Sequence, residues 1–262
     1  MSGGPKDPLV IKSLDFLGPM ATVDGWRPEN ALPEVAFAGR SNVGKSSLLN
    51  RLVRRKAFAR VSNTPGRTRE INFFTVNGTF VLADLPGYGY AKISKTRKAD
   101  WQPLIEGYLR LSPALRGVVQ LLDVRHAPSD DDLQMLDFLA EIEAPTIVAL
   151  TKIDKLKPRE LAERFRIIAA TLRLEEEQMI PFSAVTNQGR DELAEAVVSL
   201  VGMPSWRGAA EVANASDSTA DGGEHAAADF QTDGNSVARG DAAVNVAPGP
   251  PGGEADSGER ER

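Results

Sequence analysis

Residues 39–47 read GRSNVGKSS and fit the pattern G-x-x-x-x-G-K-[ST], whose chemistry is the holding of phosphate. Phosphates need close approach to main-chain N–H groups, and Gly39 and Gly44 carry no side chain to obstruct it. Arg40, Ser41, Asn42 and Val43 would present successive N–H groups, with the N-terminus of a following helix behind them. Lys45 would reach the β- and γ-phosphates, and the Ser46 hydroxyl is a ligand type for Mg²⁺. A second stretch, DLPGYGYA at 84–91, sets an acid and a glycine three residues apart after an apolar run. Asp84 would then stand near the metal through a water, with Leu85 and Pro86 leading to Gly87, whose N–H can bond the γ-phosphate. Lys45 and Gly87, both aimed at the transferred phosphate, are catalytic candidates.

A third stretch, TIVALTKID at 146–154, bears on the base. Asp154 can accept from guanine N1–H and N2–H₂, donors that adenine lacks, and unpaired buried polar groups of this kind can reject an analogue by roughly 10⁴-fold. Thr151 stands where many guanine sites have Asn, and keeps a hydrogen-bonding side chain. Lys152 would lay its aliphatic stem over the base, with Ile153 joining the two. Phe182-Ser183-Ala184 would bring a main-chain N–H to guanine O6. GTP and GDP are the implied ligands. Whether GTP is hydrolysed is a separate matter. Many such switches put Gln directly after the glycine, to hold the attacking water; here that position is Tyr88, which has no amide.

Elements able to hold these residues follow from the hydrophobic pattern. Strands are expected at 35–39, 72–76, 79–85, 118–124, 146–150 and 179–183. Asn77-Gly78 between the second and third is a strong hairpin signal, so those two should be antiparallel. VVQLLDV and TIVAL are apolar almost throughout, as in parallel strands buried on both faces. Helical faces follow Gly44 (Leu48, Leu49, Leu52, Val53) and run through Trp101, Leu104, Ile105, Tyr108 and Leu109. Ser129 with Asp132 resembles a capping box before Leu133, Leu136 and Leu139. Pro158 suits a first helical turn ahead of Leu161, Phe165, Ile168 and Leu172. Leu193, Val197 and Leu200 mark a last helix. Alternation of this kind implies a three-layer α/β domain, with about six mostly parallel strands, one antiparallel strand and helices on both faces.

The 262 residues are 42% hydrophobic and 26% charged, and none is cysteine, which excludes disulfides and thiolate metal sites and fits a reducing cytoplasm. No run approaches the roughly 20 apolar residues of a membrane span. The net charge of −5 is unevenly spread: from Arg207 onward there are 11 acidic and 4 basic residues, leaving 25 acidic and 27 basic before it. The expected organisation is an N-terminal extension at 1–30, one nucleotide-binding domain at 31–206 and a disordered acidic tail at 207–262.

PEVAFAGRSNVGKSSLLN (33–50), NTPGRTREINFF (63–74), DLPGYGYAK (84–92) and LRGVVQLLDVRHAPSDDDLQML (115–136) resemble the EngB family of bacterial ribosome-biogenesis GTPases, within the TrmE–Era–EngA group. The likeness covers about residues 30–206. Departures are Arg69-Glu70, where Gln and an apolar residue are expected, and an extra acid in SDDD. The resemblance implies that Gly66, Arg67, Thr68, Arg69 and Glu70 form the first switch, with Thr68 completing the Mg²⁺ shell and so joining Ser46 as a metal ligand and Lys45 and Gly87 as a catalytic candidate. It also implies a part in large ribosomal subunit assembly and in normal division and septation. In potassium-activated relatives an Asn at the place of Asn42 helps hold K⁺ beside the phosphates, standing in for an arginine finger worth roughly 10³–10⁵ in rate. Two readings of Asn42 stay open: holding that ion, or only stabilising the loop. Slow intrinsic turnover is expected.

RLVRRKAFAR (51–60) and AKISKTRK (91–98) gather positive charge beside the two switches. They are candidate surfaces for the RNA of a ribosomal subunit precursor, or else solvated helix faces. Arg125-His126 suggest a structural role after their strand, and Trp26, Trp101 and Trp206 suggest packing. A monomer in the cytoplasm is expected. The alternative function is a GTP-gated binding module for division or other partners, in which hydrolysis is incidental.

Overall fold

In the computed structural model the described residues are 7–29, 31–55, 70–89 and 95–207, with residues 95–101 described in main chain only. The chain runs β1 (Leu14–Met20), β2 (Glu34–Gly39), α1 (Lys45–Leu52), β3 (Ile71–Val76), β4 (Phe80–Asp84), α2 (Lys95–Leu111), β5 (Leu115–Asp123), α3 (Asp130–Glu141), β6 (Thr146–Thr151), α4 (Pro158–Leu172), β7 (Met179–Pro181) and α5 (Arg190–Gly202). The strands form one sheet in the order β1-β3-β4-β2-β5-β6-β7. β4, β2, β5, β6 and β7 are mutually parallel, and β3 runs antiparallel to both its neighbours, β1 and β4. The fold is thus α/β, mostly parallel, with one reversed strand and seven strands where the sequence pattern implied six.

Strand β2 is buried at every position and alternates its side chains between two cores. Val35 and Phe37 pack with Leu48, Leu49 and Leu52 of α1 and with Leu193, Val197 and Leu200 of α5. Ala36 and Ala38 face Leu104, Ile105, Tyr108 and Leu109 of α2 and Leu139 of α3. A third cluster sets Ile168 and Ala169 of α4 against Leu122, Val148 and Leu150. Each large apolar side chain so buried contributes about 1.5–3 kcal/mol. The chain crosses from one side of β2 to the other after it leaves that strand. The crevice at the carboxyl end of β2 is therefore the topological switch point, where ligands bind in open α/β sheets.

The hairpin forms as its turn residues require: Asn77 and Gly78 both have positive φ, 53° and 64°, between antiparallel β3 and β4. Asn77 has a second use. Its Oδ1 accepts from the N–H groups of Lys12 (2.6 Å) and Ser13 (3.1 Å), and its Nδ2 donates to the Val10 carbonyl at 2.8 Å. The turn thereby fixes the start of β1, the strand that was not anticipated. LDFLGPM contains Gly18 and Pro19 and a register shift between Phe16 and Gly18, so it reads poorly as a strand. Residues set apart as an extension thus supply a sheet edge, and Leu9 joins the core. Arg190, 3% exposed, ties this segment down: its guanidinium donates to the carbonyls of Leu52 and Leu9 (each 2.9 Å) and pairs with Asp7.

The capping box of α3 is present, and Pro158 takes the first turn of α4. Trp206 donates from Nε1 to the Ile142 carbonyl (3.2 Å), and Arg207 lies over its ring at 4.4 Å. Trp26 packs edge-on against Phe73, with ring centroids 6.2 Å apart. The acidic tail beyond Arg207 lies outside the described residues, as does the side chain of Trp101. Among the described residues, no helix is long and apolar enough to cross a membrane.

Candidate nucleotide-binding site

The phosphate loop leaves β2 at Gly39 and enters α1 through Gly44, the N-cap residue, at φ 108°. Asn42, also left-handed at φ 67°, is exposed at its crown, and Val43 is buried beneath. Gly39 is small for a reason beyond phosphate access: a Cβ there would lie 2.9 Å from Val43 Cγ1 and 3.1 Å from Leu121 Cβ. Lys45 at the start of α1 forms an ion pair with Asp84 at the end of β4, both side chains nearly buried. Ser46 follows, half-buried, on the same first turn.

The segment after Asp84 is sewn to the loop. Leu85 N–H donates to the Phe37 carbonyl at 3.1 Å, and Ser41 N–H to the Tyr88 carbonyl at 2.8 Å. The Ser41 hydroxyl donates to the Gly87 carbonyl at 3.1 Å. A Cβ on Gly87 would lie 3.1 Å from Ser41 Cα and 3.2 Å from its nitrogen, so a larger residue would press the two segments apart by a few tenths of an ångström. The Tyr88 ring points inward and is 2% exposed. Its hydroxyl donates to Asp132 Oδ1 at 2.9 Å and accepts from Gln120 Nε2. Burial, first, and the Asp132 carboxylate beside it push the phenol well above its ordinary range, so it stays protonated.

The loop at the end of β6 grips the phosphate loop from the other side. Thr151 is 3% exposed, and its Oγ1 lies 2.7 Å from the Val43 carbonyl and 3.1 Å from the Leu122 carbonyl. Lys152 takes φ 64° and sends its ammonium to the Asn42 carbonyl (2.6 Å) and Asp123 Oδ2 (2.8 Å). Ile153 is buried, its N–H 3.4 Å from the Phe182 carbonyl. Asp154 Oδ1 accepts from the Ser183 hydroxyl at 2.7 Å. Burial pushes the Asp154 carboxyl up, but that hydrogen bond and the nearby Lys155 ammonium outweigh it and hold the group below the usual range. The Ser183 hydroxyl also accepts from the N–H groups of Val185 and Thr186, and the Ala184 carbonyl accepts from Arg51 Nε at 2.9 Å. Phe182, Ser183 and Ala184 thus meet Thr151–Asp154 and α1 in one place.

Pattern reading missed Asp123, whose carboxylate accepts from Arg125 Nε (2.9 Å), Arg125 Nη2 (2.7 Å) and Lys152. Arg125, read as structural, orients this carboxylate. Arg40, Asn42, Asp123, Arg125, His126 and Lys152 border a cavity of about 210 Å³ beside the phosphate loop. Burial pushes the Asp123 carboxyl up, yet the Arg125 and Lys152 hydrogen bonds bring it down to about 2. The folded state therefore binds fewer protons here than the unfolded state between the two pKa values. The stability this group contributes is complete above the ordinary carboxylate pKa of 3.8 and is lost as pH falls towards 2. Urea midpoints of the wild type and Asp123→Asn should accordingly differ at neutral pH and converge as the pH drops through this window.

Gly66, Arg67, Thr68 and Arg69 lie outside the described residues; Glu70 is exposed just before β3. Of the basic stretches, 56–60 and 91–94 also lie outside, and Lys95–Lys98 are described only as helix. Arg51, Arg54 and Arg55 border a groove of about 780 Å³ with Asn50 and Asn187.

A phosphate-type loop at the switch point, fastened to a Thr-Lys-x-Asp loop, defines a P-loop GTPase. Residues 34–152 match the family described as 50S ribosome-binding GTPase. A "Probable GTP-binding protein EngB" of Gemmatimonas aurantiaca is 67% identical over 199 residues, 76% of this chain and 98% of that protein. The protein of that name from Citrifermentans bemidjiense is 49% identical over 183 residues, 70% of this chain and 85% of that one. A crystal structure of a probable GTP-binding protein EngB superposes with a TM-score of 0.55 at 27% identity, covering 64% of this chain and 98% of that one. The chain belongs to the EngB family of GTP-binding proteins.

Proposed function

We propose that the chain binds GTP and GDP at this site, hydrolyses GTP to GDP and phosphate, and uses the cycle to time its association with a precursor of the large ribosomal subunit. The observation that carries the reading is the joining of Thr151 and Lys152 to the phosphate loop, with Asp154 two residues on held by the Ser183 hydroxyl. In this reading the Asp154 carboxylate accepts from guanine, the anchored Lys152 leaves its stem to the base, and Gly39–Ser46 hold the phosphates. Lys45 exchanges its pairing with Asp84 for the β- and γ-phosphates. Leu85 and Pro86 lead to Gly87, whose N–H meets the terminal phosphate.

Mg²⁺ fits the donor set. The Ser46 hydroxyl and Asp84 carboxylate are hard oxygens, the donor type that Mg²⁺ takes. Few protein ligands suit an ion that keeps water and phosphate around it. Ser46, and Thr68 in the first switch with Gly66, Arg67, Arg69 and Glu70, would hold it. Bound there, it neutralises charge on the phosphates. Asn42 is proposed to help hold K⁺; if it only shapes the loop, turnover will be equal in sodium and potassium.

The ribosomal partner is supported by the 50S ribosome-binding description of the matched family and by Arg51, Arg54 and Arg55 beside the site. A link to division and septation and a cytoplasmic location come with the family reading. One observation favours the alternative of a GTP-gated module: the side chain at position 88 is buried, where other switches place a water-holding glutamine. Co-sedimentation with large-subunit precursors tests both readings. The proposal expects retention with a non-hydrolysable GTP analogue and release once GTP is hydrolysed. Release at the same rate with GTP and with the analogue supports the module, and equal retention in GTP and GDP defeats both.

A further inference from the structure

Tyr88 is held at both ends. Its carbonyl accepts from Ser41 N–H at 2.8 Å, so its main chain is fastened to the phosphate loop. Its hydroxyl is fastened elsewhere, donating to Asp132 Oδ1 at 2.9 Å and accepting from Gln120 Nε2. Both partners belong to rigid elements. Gln120, 0% exposed, lies in β5 opposite Ala38 of β2. Asp132, 5% exposed, is the third residue of α3, and its other oxygen accepts from Ser129 N–H (3.0 Å) and Oγ–H (2.7 Å) in the capping box. The phenol therefore joins the strand beside the phosphate loop to the start of the next helix. Gly87 lies directly before it.

We infer that Tyr88 is a positioning residue: through its buried hydroxyl, Asp132 and Gln120 hold the Gly87 N–H in place for a terminal phosphate before any nucleotide arrives. A loop that is already ordered gives up less conformational freedom when the phosphate binds, so more of the contact appears as affinity. In this account the residue after the glycine anchors the phosphate sensor instead of orienting water. The inference rests on the nucleotide site proposed above. Gly87 faces only a γ-phosphate in that site, so loosening it should weaken GTP binding and spare GDP. A side chain that merely fills the core would change both nucleotides alike.

The test is Tyr88→Phe, which keeps the ring and removes the hydroxyl, with affinities for GDP and a non-hydrolysable GTP analogue measured by titration. The expected result is a loss of about tenfold in analogue affinity, the scale of a hydrogen bond to a charged group, with GDP affinity unchanged. Turnover at saturating GTP should fall as well. Asp132→Asn attacks the same link from α3 and should shift the ratio in the same direction, with the double variant little worse than either single one because the two act as a unit. Tyr88→Gln, which supplies an amide but no phenol, should lower turnover. Equal shifts for both nucleotides, full additivity, or faster turnover with Tyr88→Gln would each overturn the proposal. If the wild type binds neither nucleotide, the site reading fails instead, so the two failures are distinguishable.

Discussion

Asp154→Asn will lower GTP affinity by roughly 10²–10⁴-fold and confer binding of xanthosine triphosphate. The carboxylate offers two acceptors, matching the N1–H and N2–H₂ donors of guanine. An amide offers one acceptor and one NH₂ group, which would face the guanine amine donor to donor. Xanthine carries a carbonyl at that carbon, so the amide donor finds its partner. The substitution should spare the fold, because the Ser183 hydroxyl that donates to Asp154 Oδ1 at 2.7 Å can donate to an amide oxygen as well. Loss of the ion pair with Lys155, 3.3 Å away and more than half exposed, should cost little. Competition binding with GTP, xanthosine triphosphate and ATP provides the measurement. An Asp154→Asn chain that keeps wild-type GTP preference would remove Asp154 from the base site.

Gly189→Ala should be the most destabilising small substitution near the site. Gly189 caps the N-terminus of α5 at φ 76°, in the left-handed region, and an added Cβ would lie 1.8 Å from the Pro181 carbonyl oxygen. The atom it meets is main chain and not a flexible side chain, so relief requires β7 and the start of α5 to separate. The left-handed conformation and the displacement together should cost on the order of 3 kcal/mol or more. Phe182–Ala184 follow β7 directly, and Ser183 N–H donates to the Gln188 carbonyl at 3.0 Å, so guanine affinity should fall along with stability. Gly202→Ala, at the other end of the same helix, supplies the control. A Cβ there meets nothing within 4 Å, and its denaturant midpoint should stay near wild type.

How far these features could be read beforehand depended on the range of the interactions that make them. The phosphate loop, Thr151–Asp154 and the Asn77-Gly78 turn are local signals whose residue types are set by what the chain does within a few positions. The strand β1 was hidden because Gly18, Pro19 and a bulge break its alternation, and because Asn77, far along the chain, fixes its start. Asp123 looked like an ordinary strand end, since Lys152, the partner that ties it to the base loop, lies 29 residues away. Tyr88 looked like an omission in a catalytic pattern. Its direction is set by Gln120 and Asp132, 32 and 44 residues away, and no local pattern reports that pairing. The first switch before Glu70 and the acidic tail beyond Arg207 fall outside the described residues, so their reading still rests on sequence.

Titration of the purified chain with GDP, GTP and ATP in the presence of Mg²⁺ tests the central claim most directly. The account predicts saturable binding of both guanine nucleotides, with ATP weaker by roughly 10³-fold or more. ATP binding within tenfold of GTP would contradict it.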